Sequence, residues 1–131
     1  MLRTLRLIVA FAALAFATPV MAQEAPTAVR PLANAAATGA IVISTRPVTL
    51  YGLSVATGGT AGHVLVFDAA AVPADGAVTP VYCRHVAANG DDAITLYTPA
   101  RFAVGLVVVF STTGCWTKTV SDTAFFSYSV R

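Results

Sequence analysis

The chain has 131 residues, of which 56% are hydrophobic and only 11% are charged, with eight Lys and Arg against six Asp and Glu. This length allows one domain with a moderate core. The basic residues are few and scattered, which excludes the clustered positive charge of a nucleic-acid-binding surface.

The first 22 residues have the three-part layout of a secretory signal peptide. A basic start with Arg3 and Arg6 precedes the unbroken apolar run 7–17, and Ala22 is a small residue at the cleavage position. The run is shorter than the roughly 20 residues that a membrane-spanning helix needs. We therefore predict cleavage after Ala22, a bacterial periplasmic or extracellular location, and no membrane span in the mature protein.

Removal of residues 1–22 changes the charge balance. Arg3 and Arg6 leave with the signal, so six basic residues face six acidic residues in the mature chain and its formal charge is zero. A neutral and weakly charged surface offers little electrostatic protection against association. This favours a protein that packs against a second copy of itself, or against a protein, envelope or cell-surface partner.

The mature chain divides into a lead-in and a β domain. Residues 23–40 contain proline and small side chains without a clear period, which predicts a flexible N-terminal lead-in. From residue 41 onward, short runs rich in Val, Ile, Thr, Tyr and Phe alternate with Gly, Pro, Asn and Asp. The predicted strands are 41–45, 48–56, 63–68, 81–87, 93–98, 102–110, 116–120 and 125–130. We therefore predict an all-β fold, a single antiparallel β-sandwich of jelly-roll or immunoglobulin-like kind with about seven to eight strands, over residues 41–131.

Two local patterns refine this prediction. Asn89-Gly90 accepts the positive φ of a type I′ turn, which predicts a tight hairpin with Cys83 opposite Leu96. The stretch 102–110 is apolar on both faces, which is typical of a central strand that is covered on both sides.

Cys83 and Cys115 are the two cysteines of the chain. In an oxidising compartment such a pair predicts a disulfide, which would close a loop of about 33 residues and stabilise the fold by roughly 3–4 kcal/mol. His85 shares a strand face with Cys83, but the disulfide would remove that cysteine as a metal ligand, and the cysteine spacing does not match zinc sites. The sequence predicts no metal site and no cofactor.

Few residues are candidates for catalysis. Ser54, His63 and Asp68 could be combined into a Ser-His-Asp arrangement, but no Gly-X-Ser-X-Gly frame surrounds the serine. The glycine-rich stretch 58–62 lacks the Lys-Ser/Thr of a phosphate-binding loop and predicts a flexible hairpin connection. We therefore predict that the protein is not an enzyme. A small secreted hydrolase that uses His63 or His85 is the alternative.

Trp116 and Phe125 are the candidate surface-contact residues. In the strand predicted at 125–130, Phe126 and Tyr128 share one face, while Phe125 shares the other face with two serines. An aromatic side chain that is exposed marks a contact patch. Core packing of these aromatic residues is the alternative interpretation.

Two segments, Val66-Phe67-Asp68 through Pro80 and Phe110-Ser111 through Thr119, resemble small, largely uncharacterised all-β proteins of phage and prophage regions in proteobacteria. The resemblance covers about residue 41 to the end, and it carries no catalytic residue over. It implies a structural or surface-contact role, and its alternative is a phage-derived virion component such as a decoration or fibre-associated domain. Virion parts assemble in the cytoplasm, so the export signal favours an exported, non-enzymatic β-sandwich that acts as a structural or surface-binding module.

Overall fold

The computed structural model describes residues 29–34, 36–121 and 123–131. The predicted signal peptide 1–22 and the first part of the predicted lead-in, residues 23–28, lie outside the described residues. In the part that is described, the secondary structure is all-β, as predicted. The strands are β1 (Arg30–Ala33), β2 (Ala40–Ser44), β3 (Val48–Thr57), β4 (Gly62–Phe67), β5 (Gly76–Ala77), β6 (Tyr82–Val86), β7 (Asp91–Phe102), β8 (Leu106–Ser111), β9 (Thr117–Lys118) and β10 (Ala124–Val130).

Two four-stranded antiparallel sheets pack face to face. We call the sheet with the strand order β1-β10-β3-β7 the front sheet, and the sheet with the order β2-β8-β4-β6 the back sheet. Their neighbouring strands all pair antiparallel. One hydrophobic cluster takes side chains from both sheets. The predicted antiparallel β-sandwich is therefore confirmed.

The core lies between the sheets because alternate residues of each strand point inward. On β3, Leu53 and Val55 are buried while Ser54 and Ala56 between and after them face outward. The buried members of the core are Leu50, Leu53, Val55, Val64, Val66, Val86, Phe102, Leu106, Val108, Phe110, Ala124 and Phe126.

Strand β8 occupies the middle of the back sheet and all of its residues are buried. The prediction of a central strand covered on both sides is confirmed for residues 106–110, but not over the whole predicted range 102–110. Phe102 ends β7 instead, and residues 103–105 turn the chain from the front sheet to the back sheet. The apolar pattern runs through this turn because Phe102 also points into the core.

A second hydrophobic cluster covers the outer face of the back sheet. It is built on Leu65 and Phe67 of β4 and on Val107 and Val109 of β8. Residues 69–80 and 112–120, which we call the cover layer, supply Ala69, Val78 and Val120 to this cluster. Strands β5 and β9 pair with each other within the layer. The two middle strands of the back sheet, β4 and β8, are thus buried on both faces, whereas the front sheet is buried on its inner face.

Lys118 joins the two segments of the cover layer. Its side chain is 1% exposed, and its Nζ donates a hydrogen bond to the carboxylate of Asp75, which is 56% exposed. A buried ammonium needs such a partner, because an unpaired charge in the interior loses its hydration without compensation.

The predicted hairpin at Asn89-Gly90 is wrong. Strands β6 and β7 belong to different sheets, so Cys83 and Leu96 are not paired. Asn89 does adopt a left-handed conformation, with φ of 52°, and the Gly90 N–H donates to the Ala87 carbonyl at 3.2 Å. A tight turn is therefore present, but it leads from the back sheet to the front sheet.

Part of the predicted lead-in belongs to the fold. Residues 30–33 form β1, which pairs with β10 at the edge of the front sheet. Thr38 also forms a bridge with Ala124. The strand contains Pro31, which lacks an N–H and is tolerated at a sheet edge. The proline and small residues of the predicted lead-in show no alternation of apolar and polar side chains, so its described part was not predicted as a strand.

Strand β7 carries a wide bulge on the free edge of the front sheet. Thr95 pairs with Gly52 and Ala100 pairs with Leu50, so four residues of β7, 96–99, lie opposite one residue of β3. Within the bulge Tyr97 is fully exposed. The predicted strand 93–98 is therefore longer and more irregular than expected.

Candidate functional site

The three residues of the considered Ser-His-Asp arrangement are not brought together. Ser54 lies on β3 in the front sheet and faces outward. His63 lies on β4 in the back sheet, and Asp68 follows the end of that strand. The sandwich core separates the serine from the histidine, so no hydrolase site forms from these residues.

Asp68 stabilises a turn of the backbone. Its carboxylate accepts hydrogen bonds from the backbone N–H groups of Ala103, Val104 and Gly105, at 3.0, 2.8 and 3.2 Å. These bonds, that from Val104 first, lower the pKa of Asp68 because they stabilise the ionised form. Asp68 therefore holds the turn between β7 and β8.

His63 and His85 are direct cross-strand neighbours on β4 and β6. Their ring centres are 5.2 Å apart in an edge-to-face arrangement. Burial, and then the nearby His85, lower the pKa of His63. Nδ1 of His63 is buried and has no hydrogen-bond partner among the described residues. The structure thus places both histidines on the outer face of the back sheet, where Ser111 of β8 is the cross-strand partner of His63 and its hydroxyl is hydrogen-bonded to residues of the cover layer.

The glycine-rich stretch 58–62 connects β3 of the front sheet to β4 of the back sheet, so it is not a hairpin connection. A Cβ at Gly62 would lie 2.5 Å from the Ser111 carbonyl oxygen and 2.6 Å from the Phe110 ring. Gly62 is therefore needed for the close approach of β4 to β8, and its role is in packing.

Cys83 and Cys115 form the predicted disulfide, with their Cα atoms 5.6 Å apart. Cys83 lies on β6 at the edge of the back sheet, and Cys115 lies in the cover layer. The bond therefore fastens the cover layer to the sheet that it protects. A disulfide is compatible with an oxidising location outside the cytoplasm.

Trp116 and Phe125 are both exposed, at 67% and 47%, but they lie on opposite sides of the sandwich. The Trp116 carbonyl accepts the Val78 N–H within the cover layer. Phe125 pairs with Ala56 of β3 and faces outward from the front sheet. The two aromatic residues therefore mark two separate surfaces, and the contact role of each stays a prediction.

The outer face of the front sheet, which we call the front face, carries small uncharged side chains in its central rows, and Phe125, Ala56 and Asp91 form the row beside them. Three strands bring Ser54, Ser127 and Ala93 into one row across the sheet, and Gly52, Ser129 and Thr95 into the next row. A shallow groove of about 280 Å³ crosses this surface. It is lined by Pro31, Gly52, Leu53, Ser54, Ala93, Ile94, Thr95, Ser127, Tyr128 and Ser129.

Sequence reasoning missed the front face as a unit, although its signal is visible in the chain. On β10, Phe125, Ser127 and Ser129 alternate with buried or half-buried residues, and β3 does the same with Ser54 and Ala56. The pairing of these strands was the missing information. It places the outward-facing residues of β10, β3 and β7 side by side, so that together they form one surface.

A second cavity of about 190 Å³ lies between the sheets beside β6 and β7. Its lining is apolar and includes Leu53, Val66, Leu96 and Phe102. Val81, which is 66% exposed, lies at its boundary with solvent. The cavity is an incompletely filled part of the core and holds no convergent polar groups.

Residues 29–34, 36–121 and 123–131 contain no group of three or more His, Cys, Asp or Glu side chains that could hold a metal ion. The same residues contain no helix with the length and hydropathy to cross a membrane. No family model, curated protein or solved structure matches the chain. The resemblance to proteins of phage and prophage regions stays a prediction.

Proposed function

We propose that this protein is an exported, non-enzymatic β-sandwich that acts as a structural or surface-binding module, with the front face as its contact surface. The observation that carries the proposal is that the two sheets differ in how their outer faces are covered. The back sheet is covered by a disulfide-fastened layer. The front face has no comparable layer among the described residues and exposes Phe125 beside rows of small side chains.

The chemistry of the front face supports association with a flat surface. Small side chains let a partner approach the sheet closely, and hydroxyl groups such as those of Ser54, Ser127 and Thr95 offer hydrogen bonds at the surface. The groove lining contains no charged side chain, so a partner would not have to desolvate an ion there. Phe125 would supply the aromatic anchor that protein contacts commonly use.

The contact proposal is tested by placing a large charge on the front face. Ser127→Arg should abolish self-association, or binding to isolated bacterial envelope fractions, while the fold is retained by circular dichroism. Thr79→Arg is the matched control, since Thr79 is exposed in the cover layer. Light scattering after size exclusion measures association, and co-sedimentation measures envelope binding. A strictly monomeric wild-type protein that binds no envelope component would overturn the proposal.

The export part of the proposal rests on the signal-like first 22 residues and on the disulfide. The test is the intact mass of the protein made from its full gene in a bacterial host, measured after fractionation with and without reductant. A periplasmic species that begins at Gln23, and is two hydrogens lighter before reduction, supports export. A full-length, reduced cytoplasmic species would overturn it and favour the virion alternative.

A further inference from the structure

The outer face of the back sheet holds one row of polar side chains at the edge of the second hydrophobic cluster. His85 on β6, His63 on β4 and Ser111 on β8 are consecutive cross-strand partners in this row. Side chains that are directly opposite on an antiparallel pair project to the same face, about 4.5–5.5 Å apart at Cβ. The two imidazoles are therefore held side by side by backbone register.

We propose that His63 and His85 form a two-ligand site for a divalent transition metal ion of the Zn²⁺, Ni²⁺ or Cu²⁺ class. Imidazole nitrogen suits these ions, whereas Ca²⁺ and Mg²⁺ prefer oxygen ligands. The proposal is independent of the contact role of the front face, which lies on the other side of the sandwich.

The separation of the rings fits two ligands of one ion. A metal–nitrogen bond is about 2.0–2.1 Å long, so an ion lies roughly 3 Å from the centre of each ring that binds it. Two rings at a tetrahedral angle around one ion are then about 5 Å apart between centres. The observed separation of His63 and His85 is 5.2 Å. The backbone register therefore sets the two rings at the separation that a shared ion requires.

The protonation state of His63 also suits metal binding. Imidazole binds a metal in its neutral form. Burial and the neighbouring His85 lower the pKa of His63, which favours its neutral form. Its buried Nδ1 has no hydrogen-bond partner among the described residues, and is therefore not committed to another contact.

Among the described residues, the groups next to the two histidines add no further ligand. The sulfur of Cys83, on the same face as His85, is consumed by the disulfide. The Ser111 hydroxyl accepts the Thr119 N–H at 3.0 Å and contacts the Thr113 hydroxyl at 3.3 Å, so it is occupied by the cover layer. The remaining coordination positions are left to water or to a ligand from solution, since His85 is exposed.

The test is a calorimetric titration of the untagged, disulfide-bonded protein with ZnCl₂ and, separately, with NiCl₂. We expect binding of one ion per chain. His85→Ala and His63→Ala should each weaken it by at least about tenfold, because even changes to groups behind metal ligands typically cost 10- to 100-fold. Asp91→Ala, an exposed carboxylate on the front sheet, is the control and should bind like the wild type.

The exposed position of His85 keeps the test decisive even if replacement of the half-buried His63 disturbs folding. Histidine ring signals in a proton–nitrogen NMR spectrum give a second measurement, since the ion should shift or broaden both rings at equal stoichiometry. No binding at millimolar metal, or unchanged affinity in His85→Ala, overturns the proposal.

Discussion

Arg84 on β6 and Asp92 on β7 form an ion pair, with Nε of the arginine 3.1 Å from Oδ2 of the aspartate. The pair joins the edge strands of the two sheets, next to the turn that carries the chain from one sheet to the other. Its arginine side chain is 56% exposed. We therefore infer that the ion pair helps to hold these two edge strands together, and that most of the free energy of unfolding comes from the hydrophobic core.

Acidification should weaken the turn that Asp68 holds. Its folded-state pKa lies below the ordinary value of 3.8, so its contribution to stability is fully present above that value and is lost as the pH falls through the folded-state pKa. Asp68→Asn should lower stability at pH 7, and its difference from the wild type should shrink below about pH 4. Urea unfolding at several pH values measures this. Asp91→Asn serves as control, and a constant difference at all pH values would contradict the prediction.

Two glycines of the connection 58–62 should differ in how strongly the same substitution changes the free energy of unfolding. Gly62→Ala places a methyl group against Phe110 and the Ser111 carbonyl, and we expect it to cost about 1–3 kcal/mol of unfolding free energy. Gly59 has open space around its Cβ position, so Gly59→Ala should be neutral or slightly stabilising. Chemical denaturation compares the two variants. Equal losses would show that chain flexibility, rather than the close approach, decides the effect.

Removal of the disulfide should loosen the cover layer as well as the whole fold. Replacement of Cys83 and Cys115 by serine should lower the free energy of unfolding by about 3–4 kcal/mol, because the disulfide closes a loop of the residues between them. It should also raise the binding of a hydrophobic dye, because Leu65 and Phe67 lie beneath the layer. Reduction of the wild-type protein should reproduce both effects. Unchanged dye binding would mean that the layer stays in place without the covalent bond.

The two members of the ion pair in the cover layer, Asp75 and Lys118, should differ in how much stability is lost when each is replaced. Asp75→Ala leaves the buried ammonium of Lys118 without its partner, and we expect a loss of about 1–3 kcal/mol. Lys118→Met removes the charge together with the need for a partner, and it should cost much less. Thermal unfolding of both variants and of the double variant measures the difference. Equal losses in the two single variants would contradict this assignment.

The two exposed aromatic residues should differ in binding and agree in stability. Phe125→Ala and Trp116→Ala should each change the free energy of unfolding by less than about 1 kcal/mol, since both side chains are largely outside the core. Phe125→Ala should weaken self-association or envelope binding by about tenfold or more. Trp116→Ala should not weaken it. The opposite order would assign the contact to the cover layer.

The strands could be predicted because the alternation of apolar and polar residues is local information. Strand β3 was predicted to within one residue, and the burial of β8 on both faces followed from its two apolar faces. The pairing of Cys83 with Cys115 followed from their number and the predicted compartment. Each of these predictions depends on residue types within one segment, or on a count.

Sheet membership could not be predicted, because a turn sequence fixes local φ and ψ angles but not the partner of the strand that follows. Asn89 has the positive φ that its type favours, yet the next strand pairs with β3. The neighbourhood of His63 and His85 depends in the same way on the pairing of β4 with β6. The front face also exists only once β10, β3 and β7 lie side by side.

The bulge at residues 96–99 bears on how copies of this domain can polymerise. An incoming strand at the edge of the front sheet meets Pro99, which has no N–H, and a segment that is out of register with its neighbours. Edge-to-edge growth, the usual route to amyloid-like fibres, is therefore obstructed on this side. Copies of this weakly charged chain repel one another little. The bulge thus lowers the risk that they grow into fibres when they are concentrated on a surface.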